Sequence, residues 1–190
     1  MKIENIRRPS ERARDVVAEA VRRAAAEERA PRILFVCLGN ICRSPAAQGI
    51  TESLAAARGI AVECDSAGFY GGHAGDLPDR RMREAAASRG YRLDHRSRVI
   101  RSYDLDDFDI VAGMDDSNMD GLRRLADTED RDSRIVRMTD FAVRHPQYDS
   151  VPDPYYEGVA GFHLVLDLLE DACGTLLDEI ERANERKNAL

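Results

Sequence analysis

Val36-Cys37-Leu38-Gly39-Asn40-Ile41-Cys42-Arg43-Ser44-Pro45 is the stretch whose reading decides the fold of this 190-residue chain. The apolar run Ile33-Leu34-Phe35-Val36 leads into it and reads as a buried strand over 32–37. The segment that follows, 44–58, has Ala46, Ala47, Ile50, Leu54 and Ala57 at helical spacing, Pro45 in its first turn and Gly59 at its end. A cysteine and an arginine with five residues between them, bent between a strand and a helix, make a place to hold a phosphate. Only a thiolate attacks well. At Cys37 the helix N-terminus, the loop N–H groups, the Ser44 hydroxyl and the Arg43 charge all favour an anion. Arg43 can also grip two phosphate oxygens in a fork that tightens as charge develops. Gly39 lets the backbone approach closely, and Asn40 tolerates a left-handed conformation and can tie the loop down through its amide. Leu38, Ile41 and Cys42 complete the loop. The Walker lysine is missing, so this is not a nucleotide P-loop.

Outward from this stretch, strands alternate with helices. Residues 60–66, 108–114 and 134–138 read as strands, with a short extended piece over 97–101. Residues 78–89 read as a helix stopped at Gly90, and 117–126 as one capped by Asp115 or Asp116. A last helix over 158–186 buries Phe162, Val165, Leu166, Leu169, Cys173, Leu176 and Ile180. This alternation predicts an α/β fold, a parallel sheet covered on both faces, with the ligand at the carboxyl ends of the strands. Residues 1–31 form an N-terminal, helical extension ahead of a domain over 32–190. Ser10 begins its helix, and Ala13, Val16, Val17, Ala20, Val21 and Ala24 make one weakly apolar stripe. Alanine and valine bury little area, so this helix is expected to dock loosely.

A net charge of −7 argues against a nucleic-acid binder or a membrane-surface protein, and no apolar run approaches the length of a membrane span. The four cysteines do not form the framework of a secreted protein in a chain this long. Cys64 and Cys173 read as free, mostly buried thiols, and a reducing cytoplasm is the expected compartment.

A leaving group on phosphorus needs a general acid, a carboxylate on a loop near the strand ends. Asp153, in Val151-Pro152-Asp153-Pro154-Tyr155-Tyr156, has a backbone stiffened by two prolines, and Tyr155 and Tyr156 can wall an aryl substrate. The plain alternative for Asp-Pro is a turn.

Together these residues resemble the low-molecular-weight protein tyrosine phosphatases over roughly 32–183. Cys37 to Pro45 looks like that family's phosphate loop and Asp153-Pro154-Tyr155-Tyr156 like its general-acid loop. Asp65-Ser66-Ala67-Gly68, His95 with Arg98, and Met114-Asp115 with Asn118 match in order. The resemblance implies a three-layer, four-stranded parallel sheet of order 2-1-3-4. It implies Cys37 as nucleophile, Arg43 as phosphate binder and Asp153 as acid and then base. Asn40, Ser44, Ser66 and His95 are implied to form the network that shapes the loop. No cofactor and no metal are implied. The partner is a phosphotyrosine protein, with a tyrosine kinase among the candidates, and the product is inorganic phosphate. Many relatives place a Trp or Tyr on the pocket rim where this chain has Gly72. Either Phe69 or Tyr70 takes over that wall, or the pocket stands more open.

Two relatives offer other chemistries. Thioredoxin-coupled arsenate reductase shares the fold and loop but needs further cysteines in mid-chain, and none lies between Cys64 and Cys173. The protein-arginine phosphatase branch carries a threonine where this chain has Ile41 and lacks the paired tyrosines. Cys42, five residues from Cys37, is either a redox partner for it under peroxide or a small packing residue.

Overall fold

The strand that ends on Cys37, β1 (Arg32–Cys37), lies between β2 (Glu63–Gly68) and β3 (Ile110–Gly113), and β4 (Ile135–Arg137) completes the sheet. All pairings are parallel and the order is β2-β1-β3-β4, as the resemblance implied. This computed structural model describes residues 8–188, so the first seven residues of the expected extension lie outside the described residues.

Side chains alternate along each strand. Ile33, Phe35 and Cys37 join Ile110, Ala112 and Val136 in one core, while Leu34 and Val36 join Val111 and Ile135 in a second. With both faces buried, the central strands β1 and β3 read as nearly unbroken apolar runs, whereas the edge strand β2 carries Glu63, Asp65 and Ser66. The first core is covered by α1 (Glu11–Ala26), α2 (Arg43–Arg58), α3 (Arg80–Ala87) and, beyond three further helices, α7 (Val159–Asn188). Those three are α4 (Asp104–Asp107), α5 (Asp116–Leu125) and α6 (Glu129–Ser133). Leu105 of α4 and Met119 and Leu122 of α5 cover the second core. Cys37 pairs level with Gly68 at the carboxyl end of the sheet, so the quoted stretch opens where the strands stop.

Three expectations change. The second strand runs Glu63–Gly68 instead of 60–66, because its pairing with β1 starts at Arg32 and continues to Cys37. Segment 97–101 contributes only a bridge between Gly68 and Val99. Helix α1 is also packed more firmly than its small side chains suggested. Its six stripe residues are 0–4% exposed. Polar ties that apolar periodicity does not register reinforce it. Arg12 donates to the Ile135 carbonyl of the terminal strand at 3.1 Å and to the Asp132 carbonyl at 2.6 Å. Arg23 reaches Asp130 at 3.2 Å and Ser133 at 3.1 Å.

Candidate active site

Between β1 and α2 the chain turns through residues 38–42 with its carbonyls directed away from the turn. Phe69 N donates to the Cys37 carbonyl at 3.3 Å and Tyr70 N to that of Leu38 at 2.8 Å. Ser97 Oγ donates to the Gly39 carbonyl at 3.1 Å and Asp79 N to that of Ile41 at 2.7 Å. In a trans peptide the following N–H points the opposite way. The N–H groups of Leu38, Gly39, Asn40 and Cys42 therefore turn into the concavity, which makes a nest for an anion. No side chain caps α2, so its first N–H groups add to that nest.

Asn40 locks the turn. It adopts φ 52°, which asparagine tolerates better than most residues, and is fully buried. Its Nδ2 donates to Ser44 Oγ and to Ser66 Oγ, both at 2.9 Å, and its Oδ1 accepts from Arg98 N at 2.9 Å. Ser44 Oγ in turn lies 3.0 Å from Cys37 Sγ. Asn40, Ser44 and Ser66 thus meet in one hydrogen-bonded network beside Cys37. His95 does not join them. Among the described residues its buried Nε2 has no hydrogen-bond partner, and burial holds its pKa below the ordinary value despite the nearby Asp65 and Asp94. Ser97 and the Arg98 backbone make the contacts to the loop instead.

Arg43 is 2% exposed. Its Nη1 donates to Asp115 at 2.5 Å and to the Val151 carbonyl at 3.1 Å, and its Nη2 to Asp153 at 3.0 Å. Burial opposes its charge, but Cys37, Asp115 and Asp153 outweigh that and hold its pKa above the ordinary value. The sequence offers Asp115 as a helix cap and as part of the Met114-Asp115 match to the family; it is the cap, accepting from Asn118 N at 2.8 Å. Its other oxygen orients Arg43, a link between residues 72 positions apart that no local pattern announces.

Cys37, Arg43 and Asp153 line one cavity of about 410 Å³. Leu38, Gly39, Ile41 and Cys42 form its floor, and Tyr155 and Tyr156 one wall. Tyr70 also lines the cavity and meets His73 edge-on at 5.5 Å between ring centroids. Phe69 does not line the cavity: it packs into the second core beneath α5, where a Cβ at Gly121 would lie 2.5 Å from its ring. A Cβ at Gly72 would lie 2.3 Å from the Tyr70 ring, so the glycine makes room for that ring. His73 is a lining residue that the sequence reading missed. Cys42 is a free, buried thiol, and burial first, then Asp79 and Cys37, push its pKa up.

Comparison with known proteins follows the same lines. A family model described as low molecular weight phosphotyrosine protein phosphatase matches residues 32–186. A low molecular weight protein-tyrosine-phosphatase of Streptomyces coelicolor is 40% identical over 163 residues, which cover 83% of this chain and 98% of that protein. A solved protein tyrosine phosphatase of Entamoeba histolytica has a TM-score of 0.78 at 41% identity and covers 82% of this chain and 99% of its own. A solved arginine phosphatase of Drosophila has a TM-score of 0.72 at 30% identity, covering 77% of this chain and 95% of its own.

Proposed function

The chain belongs to the low molecular weight phosphotyrosine protein phosphatase family, and from that premise we propose that it hydrolyses phosphotyrosine in proteins through a phosphocysteine intermediate. The observation that carries this reading is the convergence of Cys37, Arg43 and Asp153 on one cavity with aromatic walls. The phosphate dianion of the substrate seats in the loop, against the nest of N–H groups and the Arg43 guanidinium. The Cys37 thiolate attacks phosphorus in line. The bond to the phenolic oxygen breaks as Asp153 delivers its proton to that oxygen, and tyrosine leaves. Asp153, now a carboxylate, takes a proton from water. The hydroxide attacks phosphorus, the S–P bond breaks, and inorganic phosphate departs with the thiolate restored. The positive charge that the transferring phosphoryl group needs is supplied by Arg43 and the loop, so this cycle uses no metal and no cofactor. Ser44, 3.0 Å from the sulfur, is a donor to the thiolate as it re-forms.

Phosphotyrosine is favoured over phosphoarginine by Ile41 in the cavity floor and by Tyr155 and Tyr156 in its wall. A tyrosine kinase that phosphorylates itself is one protein substrate of the required chemistry. Four free thiols support a reducing cytoplasm. Among the described residues no helix is long and apolar enough to cross a membrane. The family match begins at residue 32, which supports treating the N-terminal segment as an extension to the phosphatase domain.

The test pairs two variants with two peptides. Cys37→Ser is expected to abolish turnover, and Asp153→Ala to slow it by about 10²–10⁴. A phosphotyrosine peptide should be turned over well ahead of a phosphoarginine peptide. Full activity in Cys37→Ser sinks the mechanism, and the reverse peptide preference replaces the substrate by phosphoarginine.

A further inference from the structure

The acid loop and the phosphate loop lie 110 positions apart in sequence, measured from Arg43 to Asp153, yet the reaction needs them aligned within hydrogen-bond reach. Arg43 is one tie between them, through its 3.0 Å bond to Asp153. That tie must loosen when the guanidinium turns its fork to an incoming phosphate. A second connection runs through α3. Asp79 N holds the Ile41 carbonyl of the phosphate loop at 2.7 Å. The Asp79 carboxylate accepts from Arg81 N at 2.8 Å, Nε at 3.0 Å and Nη2 at 2.8 Å. So fixed, the Arg81 guanidinium carbon stands 5.4 Å from the ring centroid of Tyr155 and 4.8 Å from that of Phe162. Phe162 is 1% exposed in α7 and gives that stack a rigid back. Tyr155 N donates to Asp153 Oδ1 at 3.1 Å.

We propose that Arg81 is a positioning residue for phosphoryl transfer: with Asp79 it clasps the acid loop to the phosphate loop and sets the aim of Asp153. The inference rests on Asp153 being the general acid. A guanidinium over an aromatic ring is an attraction that a neutral side chain of equal length does not reproduce. Its bidentate bond to Asp79 gives it a direction that an ammonium lacks. Once phosphate engages Arg43, the bond from Val151 N to the Met114 carbonyl at 2.8 Å still anchors the start of the acid loop, and Tyr155 with the clasp behind it holds the side beyond Asp153.

The experiment compares kcat/KM for a series of aryl phosphates of rising leaving-group pKa in the native chain and in Arg81→Met, Arg81→Lys, Asp153→Ala and the Arg81→Met/Asp153→Ala double variant. A misaimed acid harms poor leaving groups most, because good ones depart without a proton. Arg81→Met is expected to lose about tenfold or more on phenyl phosphate and less than about threefold on p-nitrophenyl phosphate. Arg81→Lys should recover part of the loss. In the Asp153→Ala background, Arg81→Met should change the rate by less than about twofold, since the two act as a unit. Equal losses across the series, or full additivity in the double variant, overturn the clasp and leave Arg81 a structural residue. If Asp153→Ala itself shows no leaving-group dependence, the reading beneath the inference fails first and the inference falls with it. The Arg81 side chain is 41% exposed and Arg81→Lys keeps its charge, so folding does not stand in the way of the comparison.

Discussion

Replacing Asn40 by alanine removes the lock of the phosphate loop, and the structure indicates how large the effect should be. Three hydrogen bonds of 2.9 Å disappear, two donated to Ser44 and Ser66 and one accepted from Arg98 N. Each contributes about 1 kcal/mol net when buried. Alanine also has to hold φ 52° without the local hydrogen bonding that eases asparagine into that region, at about 1 kcal/mol more. Together the loss is about 4 kcal/mol, a large share of the roughly 5–15 kcal/mol that stabilises a domain. The loop N–H groups lose their alignment at the same time, and a displacement near 1 Å costs about 10² in kcat/KM. Asn40→Gly separates the two effects. It relieves about 1–2 kcal/mol of left-handed strain and gives back about 0.4–1 kcal/mol to the unfolded chain, so it should unfold slightly later than Asn40→Ala. Urea unfolding monitored with and without saturating phosphate, together with steady-state kinetics on an aryl phosphate, measures both. An Asn40→Ala variant within about 1 kcal/mol of the native chain and within threefold in kcat/KM would refute the reasoning.

Three further outcomes are expected. Gly72→Ala places a Cβ 2.3 Å from the Tyr70 ring and must displace that ring. It should raise KM for aryl phosphates about as much as Tyr70→Ala does, roughly 2–10-fold for a lost aromatic contact, and steady-state kinetics that show only the second effect disprove the link. His95 is held below its ordinary pKa of 6.5 by burial, so below that value the unfolded chain binds the extra proton first. Stability from this group is complete above about pH 6.5 and drains as pH falls toward the folded value, so urea midpoints should drop less in His95→Leu than in the native chain between about pH 7 and 5. Val17→Asp puts a charge where the native side chain is 1% exposed and should destabilise the chain by about 3–5 kcal/mol in urea, with kcat/KM under native conditions unchanged because α1 does not line the cavity.

The parts of the site that could be read from the sequence are those whose physics is local. A turn between an apolar run and an alanine-rich helix, with Gly39 and Asn40 inside it, announces a loop that must bend and bind. Two prolines around Asp153 announce a fixed carboxylate. The helices and strands of the sheet followed from periodicity, and their order from the resemblance. What escaped depends on pairing between distant segments. Phe69 and Tyr70 are both aromatic, and only the end of β2 at Gly68 decides that the first turns under α5 and the second into the cavity. Ser97 took the place expected of His95 because segment 95–98 is held by the loop and by β2, not by any pattern of its own. Helices α4 and α6 are single acidic turns; α6 has no buried residue, so hydrophobic spacing had nothing to register there.

The bond from Arg12 to the Ile135 carbonyl has a consequence for how the protein behaves among its own copies. β4 is the last strand of the sheet, and its inner groups already pair with β3, as Val111 N does with the Arg134 carbonyl at 2.9 Å. Ile135 presents an acceptor on the open side, where another strand would add itself. A charged guanidinium from α1 occupies that acceptor, and the adjoining Asp132 carbonyl as well. The N-terminal helix therefore blocks strand addition at this acceptor on the β4 edge.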